Sequence, residues 1–510
     1  MTKPIKKILI ANRGEIAVRV MRACRDLGIK SVAVFSDADA TAFHVRMADE
    51  AYCIGPAPSA QSYLVQDNII TAAKESGADA IHPGYGFLSE NATFAKRCVD
   101  EGIIFIGPKP ETIALLGDKV AARATAEKAG LPLIKGANID VTNLTACKAT
   151  AREIGYPILV KAAAGGGGKG MRVVDAEDQL EESLRAAASE AKSAFGDSRV
   201  YIEKYLKRPR HIEIQILCDQ HGNCMHLMER ECSIQRRHQK VIEESPSPIM
   251  TTELRAKMGQ AAVKIAAESG YVGAGTVEFL VDEARNFYFL EVNTRLQVEH
   301  PVTELVIGVD LVREQISIAE GKKLTLNQDD IKPGRHAIEC RIYAEDPNNG
   351  FVPSTGTLKT YVIPAGPGVR VDSGVVVGSE ISVYYDPMMA KLITWGRDRS
   401  EAISRMKRAL EEYRVSGVET TIPFHRAIMD HAGFVAGNLS TSFLAEEFPD
   451  NQYHQVKDSD LEIAAVVMAV DKFFRERRIV TDQPGDGGKE SSNWKAFHRR
   501  DNVRSFGGSR

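Results

Sequence analysis

The spacing of polar and apolar positions changes several times along this chain, and each change marks a boundary. Lys7-Ile-Leu-Ile-Ala11 is almost wholly apolar, as expected of a strand covered on both faces. From Ile16 to Leu27 apolar residues recur at helical spacing, and Gly28 supplies a stop. Ser31-Val-Ala-Val-Phe35 then predicts a second strand. This βαβ order implies a parallel sheet with helices on its faces. Farther along, Tyr156-Pro-Ile-Leu-Val-Lys161 reads as a strand ending in lysine. Arg210-His-Ile-Glu-Ile-Gln-Ile216 alternates strictly, so His211, Glu213 and Gln215 share one face, and a hairpin centred on Gly222 follows. The stretch from His336 to Trp395 is β-rich, with amphipathic helices from Glu401. Near the end, Ser459-Asp-Leu-Glu462 predicts a capping box opening a helix from Leu461 to Phe474 that is apolar nearly all round.

The loops carry the first chemical hints. Ala11-Asn-Arg-Gly-Glu15 lacks the GxGxxG spacing, so a Rossmann-like fold without a dinucleotide is expected at the N-terminus. In Ile81-His-Pro-Gly-Tyr-Gly-Phe-Leu-Ser-Glu-Asn91, two glycines allow close backbone approach to a ligand, or simply a tight turn. Gly165, Gly166, Gly167 and Gly168, followed by Lys169 and Gly170, offer bare N–H groups to phosphate oxygens without Walker A spacing. Such a run can also be a linker; lysines at both ends, Lys161 and Lys169, favour a phosphate clamp. Glu229 to Lys240 is rich in charge, either a solvated face or the lining of an anion cleft.

The densest chemistry lies between Glu278 and Pro301. Two strand-like runs carry Glu278 and Glu291, with Asn293 on the same face as Glu291. Together they form an oxygen-donor set suited to Mg²⁺ bound to nucleotide phosphates. Arg295, Gln297, Glu299 and His300 follow within a few residues, a density that packing alone does not require.

Bulk properties narrow the class. A chain of 510 residues is too long for one ordinary core and suggests three or four domains. Hydrophobic residues at 44% and charged residues at 26% describe a globular protein. A net charge of −3, from 65 basic and 68 acidic residues, advertises neither nucleic acid nor membrane. Eight cysteines without a CxxC argue against a disulfide framework or structural zinc, and for a cytoplasmic location. Cys232 lies within the charged run and reads as a buried, inert thiol.

From Ile8 to about Phe448 the chain closely resembles biotin carboxylase, the ATP-grasp component of biotin-dependent carboxylases. The motifs Ile10–Glu15, His82–Asn91, Gln235-Arg-Arg-His-Gln-Lys240 and Glu291-Val-Asn-Thr-Arg-Leu-Gln-Val-Glu-His-Pro301 carry the resemblance. It implies a multidomain α/β and α+β protein. A Rossmann-like N-terminal domain would span residues 1–118. An ATP-grasp domain would span 119–332, with a mobile glycine-rich lid over about 133–205. A β-rich C-terminal biotin carboxylase domain would span 333–449, and a helical then basic tail 450–510. The implied reaction converts ATP and bicarbonate to carboxyphosphate, which yields CO₂ for the ureido N1′ of biotin held on a separate carrier.

The same resemblance implies residue roles. Glu278 and Glu291, with Asn293, would hold Mg²⁺ or Mn²⁺. Lys119, Lys161, His238 and the 165–168 loop would meet ATP phosphates, Glu203 and Leu206 the adenine, and His211 and Gln235 the ribose. Lys240, Arg295, Gln297 and the Val298 backbone would cradle bicarbonate. Glu299 would be the general base, a role that calls for a raised pKa, and Arg341 would stabilise the biotin enolate. The loop departs from many relatives in its Ala162-Ala-Ala start and in Lys169, which implies altered lid kinetics. Without an Ala-Met-Lys-Met motif or a carboxyltransferase domain, the chain is expected to work with a biotin carrier protein and carboxyltransferase subunits, as a homodimer. Acetyl- or propionyl-CoA is the expected final acceptor, with pyruvate as an alternative. The rivals are another ATP-grasp ligase with an acyl-phosphate intermediate, and a silent ATP-binding regulatory protein.

Overall fold

The computed structural model describes residues 4–162, 171–195, 200–449, 453 and 458–480. Strands Lys7–Ile10 (β1), Lys30–Phe35 (β2), Glu50–Cys53 (β3), Ala80–His82 (β4) and Ile104–Phe105 (β5) form a parallel sheet in the order β3-β2-β1-β4-β5. The helix Gly14–Asp26 (α1) leaves β1 through Gly14, whose φ of 65° suits a residue without Cβ. Ile16, Ala17, Val20 and Met21 of α1 pack against Ile8 and Ile10 of the sheet. The expected Rossmann-like unit is therefore present.

Four further strands, Gly136–Ile139 (β6), Ile158–Ala162 (β7), Arg172–Val174 (β8) and Val200–Lys204 (β9), form a small antiparallel sheet ordered β6-β9-β7-β8. Gly165, Gly166, Gly167, Gly168 and Lys169, between β7 and β8, lie outside the described residues.

An eight-stranded sheet holds the molecule's chemistry. Its strands are Arg210–Cys218 (β10), Cys224–Arg236 (β11), Gln239–Ser245 (β12), Gly273–Val281 (β13), Phe287–Asn293 (β14), His336–Tyr343 (β15), Val369–Ser373 (β16) and Met388–Gly396 (β17). Their order is β14-β13-β10-β11-β12-β15-β17-β16, with every pairing antiparallel. One face is apolar. Ile212, Ile214, Val277 and Phe279 pack on Met258 and Ile265 of the helix Thr252–Glu268 (α2). Ile338, Cys340, Ile342 and Leu392 join a core with Ile403, Met406 and Leu410. The other face is charged, and the helix His300–Ile307 (α3) crosses β11, β12, β15 and β17. Because β12 pairs with β15, the sheet runs without a break from the strands of residues 210–293 into the β-rich region.

Two local expectations change. Cys218 and Cys224 are joined by a disulfide across the β10–β11 hairpin. Strand register, not sequence motif, brings them together; the other six cysteines are free. Residues 455–510 form a second unit, in which the helix Asp458–Val480 (α4) is described. It starts before Ser459, so Ser459 is not its cap, and it continues past Phe474 to Val480. Val466, Met468 and Phe474 are exposed on α4. No described helix is long and apolar enough to cross a membrane.

His44, His82 and His425 are buried, and burial lowers each imidazole to about 4. The folded-state pKa is depressed, so the stability they confer is present above the unfolded value near 6.5 and lost as pH falls toward 4. Each therefore costs about 2 kcal/mol at pH 5 relative to pH 7. His425 Nε2 donates to the Arg341 carbonyl at 2.7 Å, so His425→Gln keeps a donor while removing the titration. The fall in thermal midpoint between pH 7 and pH 5 is expected to flatten in this variant; an unchanged fall would refute the assignment.

Candidate active site

The charged face of the large sheet is organised by strand register. Glu291 on β14 pairs with Glu278 on β13, Glu278 with Glu213 on β10, and Glu213 with Arg230 on β11. On the other side, Glu243 pairs with Glu339, and Arg341 with Lys391 and then Asp372. Lys240, where β12 begins, reaches across this row. Its Nζ lies 2.5 Å from Glu213 Oε2, 2.8 Å from Glu278 Oε1 and 2.7 Å from Glu299 Oε1. Three carboxylates converge on one ammonium, using its three donors.

Glu299, at the start of α3, is fully buried and also accepts from Arg341 Nη2 at 3.0 Å. Arg341 Nε donates to Glu243 at 2.6 Å. Burial drives the Glu299 carboxyl up, but Lys240, Arg341 and Arg230 outweigh it and hold the group well below the usual range. The raised pKa expected of a general base is thus absent while these cations face it. Glu243 carries the opposite balance: burial lifts it to about 7 despite Arg341. Cys232 Sγ lies 4.0 Å from Glu299 Oε1, and burial pushes this thiol well up, so it stays protonated.

Asn293 Nδ2 donates to Glu278 Oε1 at 2.9 Å, joining the three predicted metal-ligand residues. Burial raises the Glu291 carboxyl and the neighbouring Glu278 adds to it. Two adjacent acids that repel each other, plus an amide oxygen, fit a hard divalent cation. His211 Nε2 lies 2.9 Å from Glu278 Oε2, while Gln235 Nε2 donates to His211 Nδ1 at 2.9 Å. Arg295 donates to Gln297 Oε1 at 2.9 Å and to Glu90 Oε2 at 2.9 Å. Gln297 in turn reaches Glu278 Oε1 at 3.3 Å.

Beside this cluster is a cavity of about 470 Å³, whose lining includes Asn12, Tyr85, Phe87, Arg295, Val298 and Arg341. It joins the first domain's loops to the expected bicarbonate and biotin residues. The other residues expected to meet ATP are placed as follows. Lys161 Nζ is 2.8 Å from Glu203, Leu206 is half-buried, and His238 is exposed in the β11–β12 turn. Lys119 is exposed, and its charge works against burial to lower the Glu291 carboxyl.

Four residues given no role from sequence prove central. Arg230 is fully buried, pairs with Glu213, and donates to Gln215 at 2.7 Å and Thr303 at 2.9 Å. Glu213 and Glu243 supply charge to Lys240 and Arg341, and Glu90 fixes Arg295. The His211-Glu213-Gln215 alternation did signal a polar face, but only the fold reveals its partners.

Residues 4–113 match the biotin carboxylase N-terminal domain, 118–327 the carbamoyl-phosphate synthase L chain ATP-binding domain, and 339–446 the biotin carboxylase C-terminal domain. The chain is 55% identical over 441 residues to biotin carboxylase 1 of Bacillus subtilis, covering 86% of this chain and 98% of that one. With the propionyl-CoA carboxylase alpha chain of Ruegeria pomeroyi the identity is 48% over 494 residues, covering 92% and 72%. A solved biotin carboxylase component of pyruvate carboxylase is 50% identical with a TM-score of 0.79, covering 89% of this chain and 100% of that one. The biotin carboxylase domain of Hydrogenobacter thermophilus 2-oxoglutarate carboxylase, solved as a dimer with MgADP and bicarbonate, is 48% identical with a TM-score of 0.82, covering 89% and 100%. The chain belongs to the biotin carboxylase family and is an enzyme of that kind.

Removing Lys240 would leave Glu213, Glu278 and Glu299 buried without their shared cation. Lys240→Met is expected to cost about 3–5 kcal/mol in denaturant unfolding. A loss below about 1 kcal/mol, the range of a surface pair, would contradict this arrangement.

Proposed function

We propose that this member of the biotin carboxylase family carboxylates biotin at N1′ on a separate carrier protein, using ATP and bicarbonate. The observation that carries the reading is the convergence of Lys240, Arg341 and Glu299 beside a cavity that Arg295 and Val298 also line. Bicarbonate oxygen attacks the γ-phosphorus of ATP, and ADP leaves as carboxyphosphate forms. Carboxyphosphate splits to CO₂ and phosphate, and deprotonated biotin N1′ captures the CO₂.

In this reading Arg295, Gln297, the Val298 N–H and Lys240 bind bicarbonate, whose planar oxygens suit a guanidinium fork. Glu299 takes the bicarbonate proton, and the phosphate released from carboxyphosphate then takes the N1′ proton of biotin. Arg341 cannot lose its own proton and meets the developing oxyanion of the biotin ureido group. Glu278, Glu291 and Asn293 would hold Mg²⁺, which when bound neutralises phosphate charge. Lys119, Lys161, His238 and the 165–168 loop bind the phosphates, Glu203 and Leu206 the adenine, and His211 and Gln235 the ribose.

Bound substrate anions would draw Lys240 and Arg341 away from Glu299, and a carboxylate relieved of its cations becomes more basic. This would reconcile a base role with a Glu299 carboxyl held low by Lys240, Arg341 and Arg230.

We further propose a homodimer working with a biotin carrier and carboxyltransferase subunits in the cytoplasm, with an acyl-CoA as final acceptor. The match to a propionyl-CoA carboxylase alpha chain, which covers the largest share of this chain among the relatives above, supports the acyl-CoA reading. The likeness to a pyruvate carboxylase component favours pyruvate instead. Purified protein is expected to release ADP from MgATP only with bicarbonate, and faster with free biotin. Glu299→Gln should slow that release by about 10²–10⁴-fold. Release indifferent to biotin would move the assignment to another ATP-grasp ligase. Deleting 450–510 is expected to abolish assembly with acyl-CoA carboxyltransferase subunits; undiminished assembly would remove the tail from that role.

A further inference from the structure

Lys391 is fully buried on β17, and the mechanism above gives it no task. Its Nζ donates to the Val298 carbonyl at 2.7 Å and lies 3.5 Å from Glu15 Oε2. Glu15 of α1 and Glu339 of β15 are buried carboxylates whose oxygens have no hydrogen-bond partner; burial raises each, and the charge of Lys391 works against it. Burying an ammonium costs several kcal/mol unless it is paired and hydrogen-bonded. A methionine would fill the same volume without that cost. The carbonyl that the ammonium holds belongs to the peptide joining Val298 to Glu299.

The peptide on the other side of Val298 is held too. His300 Nδ1 lies 2.8 Å from the Gln297 carbonyl, and the His300 backbone N–H reaches the same oxygen at 3.3 Å. A carbonyl only accepts, so Nδ1 carries the proton. Burial, followed by Lys391, Arg19 and Arg370, keeps His300 neutral and so fixed as a single donor.

We propose that Lys391 and His300 are positioning residues that clamp the two peptide planes flanking Val298, presetting its N–H and the Glu299 side chain for bicarbonate. The inference rests on the biotin carboxylase reading of this site. Neither residue is assigned a contact with substrate; each acts through the backbone of residues 297–299. A preset donor loses little to reorganisation when the anion arrives, which is where such clamps gain their effect. The alternative is that Lys391 merely neutralises Glu15 and Glu339. That role predicts a loss of stability without selectivity between substrates.

The test is steady-state ADP release by the full chain with free biotin, varying bicarbonate and ATP separately. Lys391→Met is expected to raise the bicarbonate KM about 10- to 100-fold while the ATP KM stays within about twofold. Lys391→Gln, which keeps a donor, should recover part of the loss. If Lys391→Met fails to fold, Glu15→Gln/Lys391→Met removes the uncompensated acid and is read in the same way. His300→Leu leaves Lys391 and its carboxylates in place and should give the same bicarbonate-selective rise. A folded Lys391 variant or His300→Leu with both KM values unchanged, or with both rising in parallel, would overturn the clamp. Wild-type protein that cleaves ATP without bicarbonate would instead overturn the functional reading beneath it.

Discussion

The ammonium of Lys240 is the interaction on which the site depends. Glu213, Glu278 and Glu299 come from β10, β13 and the start of α3, and no two are close in sequence. Each is a buried acid that would be costly alone. Bridged by one cation, with Arg230 on the far side of Glu213 and Arg341 on the far side of Glu299, they become a connected network. The same network sets the register of the sheet. A slip of one residue in β10 or β13 would carry Glu213 or Glu278 into the apolar core against α2 and expose Ile212 or Phe279 in its place. Charge on one face and hydrocarbon on the other thus specify a single alignment.

Much of this was legible in the chain before its structure. Period-two alternation located β10 and the polar face of His211, Glu213 and Gln215, and the Glu291–Asn293 spacing picked out residues that the fold sets beside Glu278. The βαβ opening gave the parallel sheet. What alternation cannot encode is which strand lies beside which. The β12–β15 pairing joins residues nearly a hundred positions apart and sets Arg341 beside Glu243, and the packing of α3 on the same strands adds Glu299. Cys218 and Cys224 illustrate the same limit over a short distance, since their meeting depends on hairpin register. The capping signal at Ser459 failed for a different reason. A local hydrogen-bonding preference of about 1 kcal/mol is readily outweighed where neighbouring residues also favour helix.

Burial and charge balance also explain why residues with no expected role, Arg230 and Lys391, prove as buried as any core side chain. Sequence reading assigns function to groups expected to touch substrate. Neutralising partners become visible only when the field around those groups is complete. Glu299 makes the point. Taken alone, its burial would raise its pKa, and its cations reverse the sign.

That reversal bears on how the site binds anions. Lys240 and Arg341 are paired with Glu213, Glu278, Glu299 and Glu243, so on the proposed function bicarbonate would have to compete with these carboxylates for its cations. On that reading its affinity would be a difference between two sets of ion pairs, the internal set and the substrate set. On the same reading one event would supply both binding and activation. On the proposed function, a shift of cation contacts from Glu299 to bicarbonate would remove the charge that holds the Glu299 carboxyl low. A site built from free cations and an unpaired base would bind anions more tightly. If Glu299 is the base and these are the substrate's cations, as proposed, their pairing ties basicity to occupancy, and the buried lattice of the sheet gives that exchange a fixed geometry.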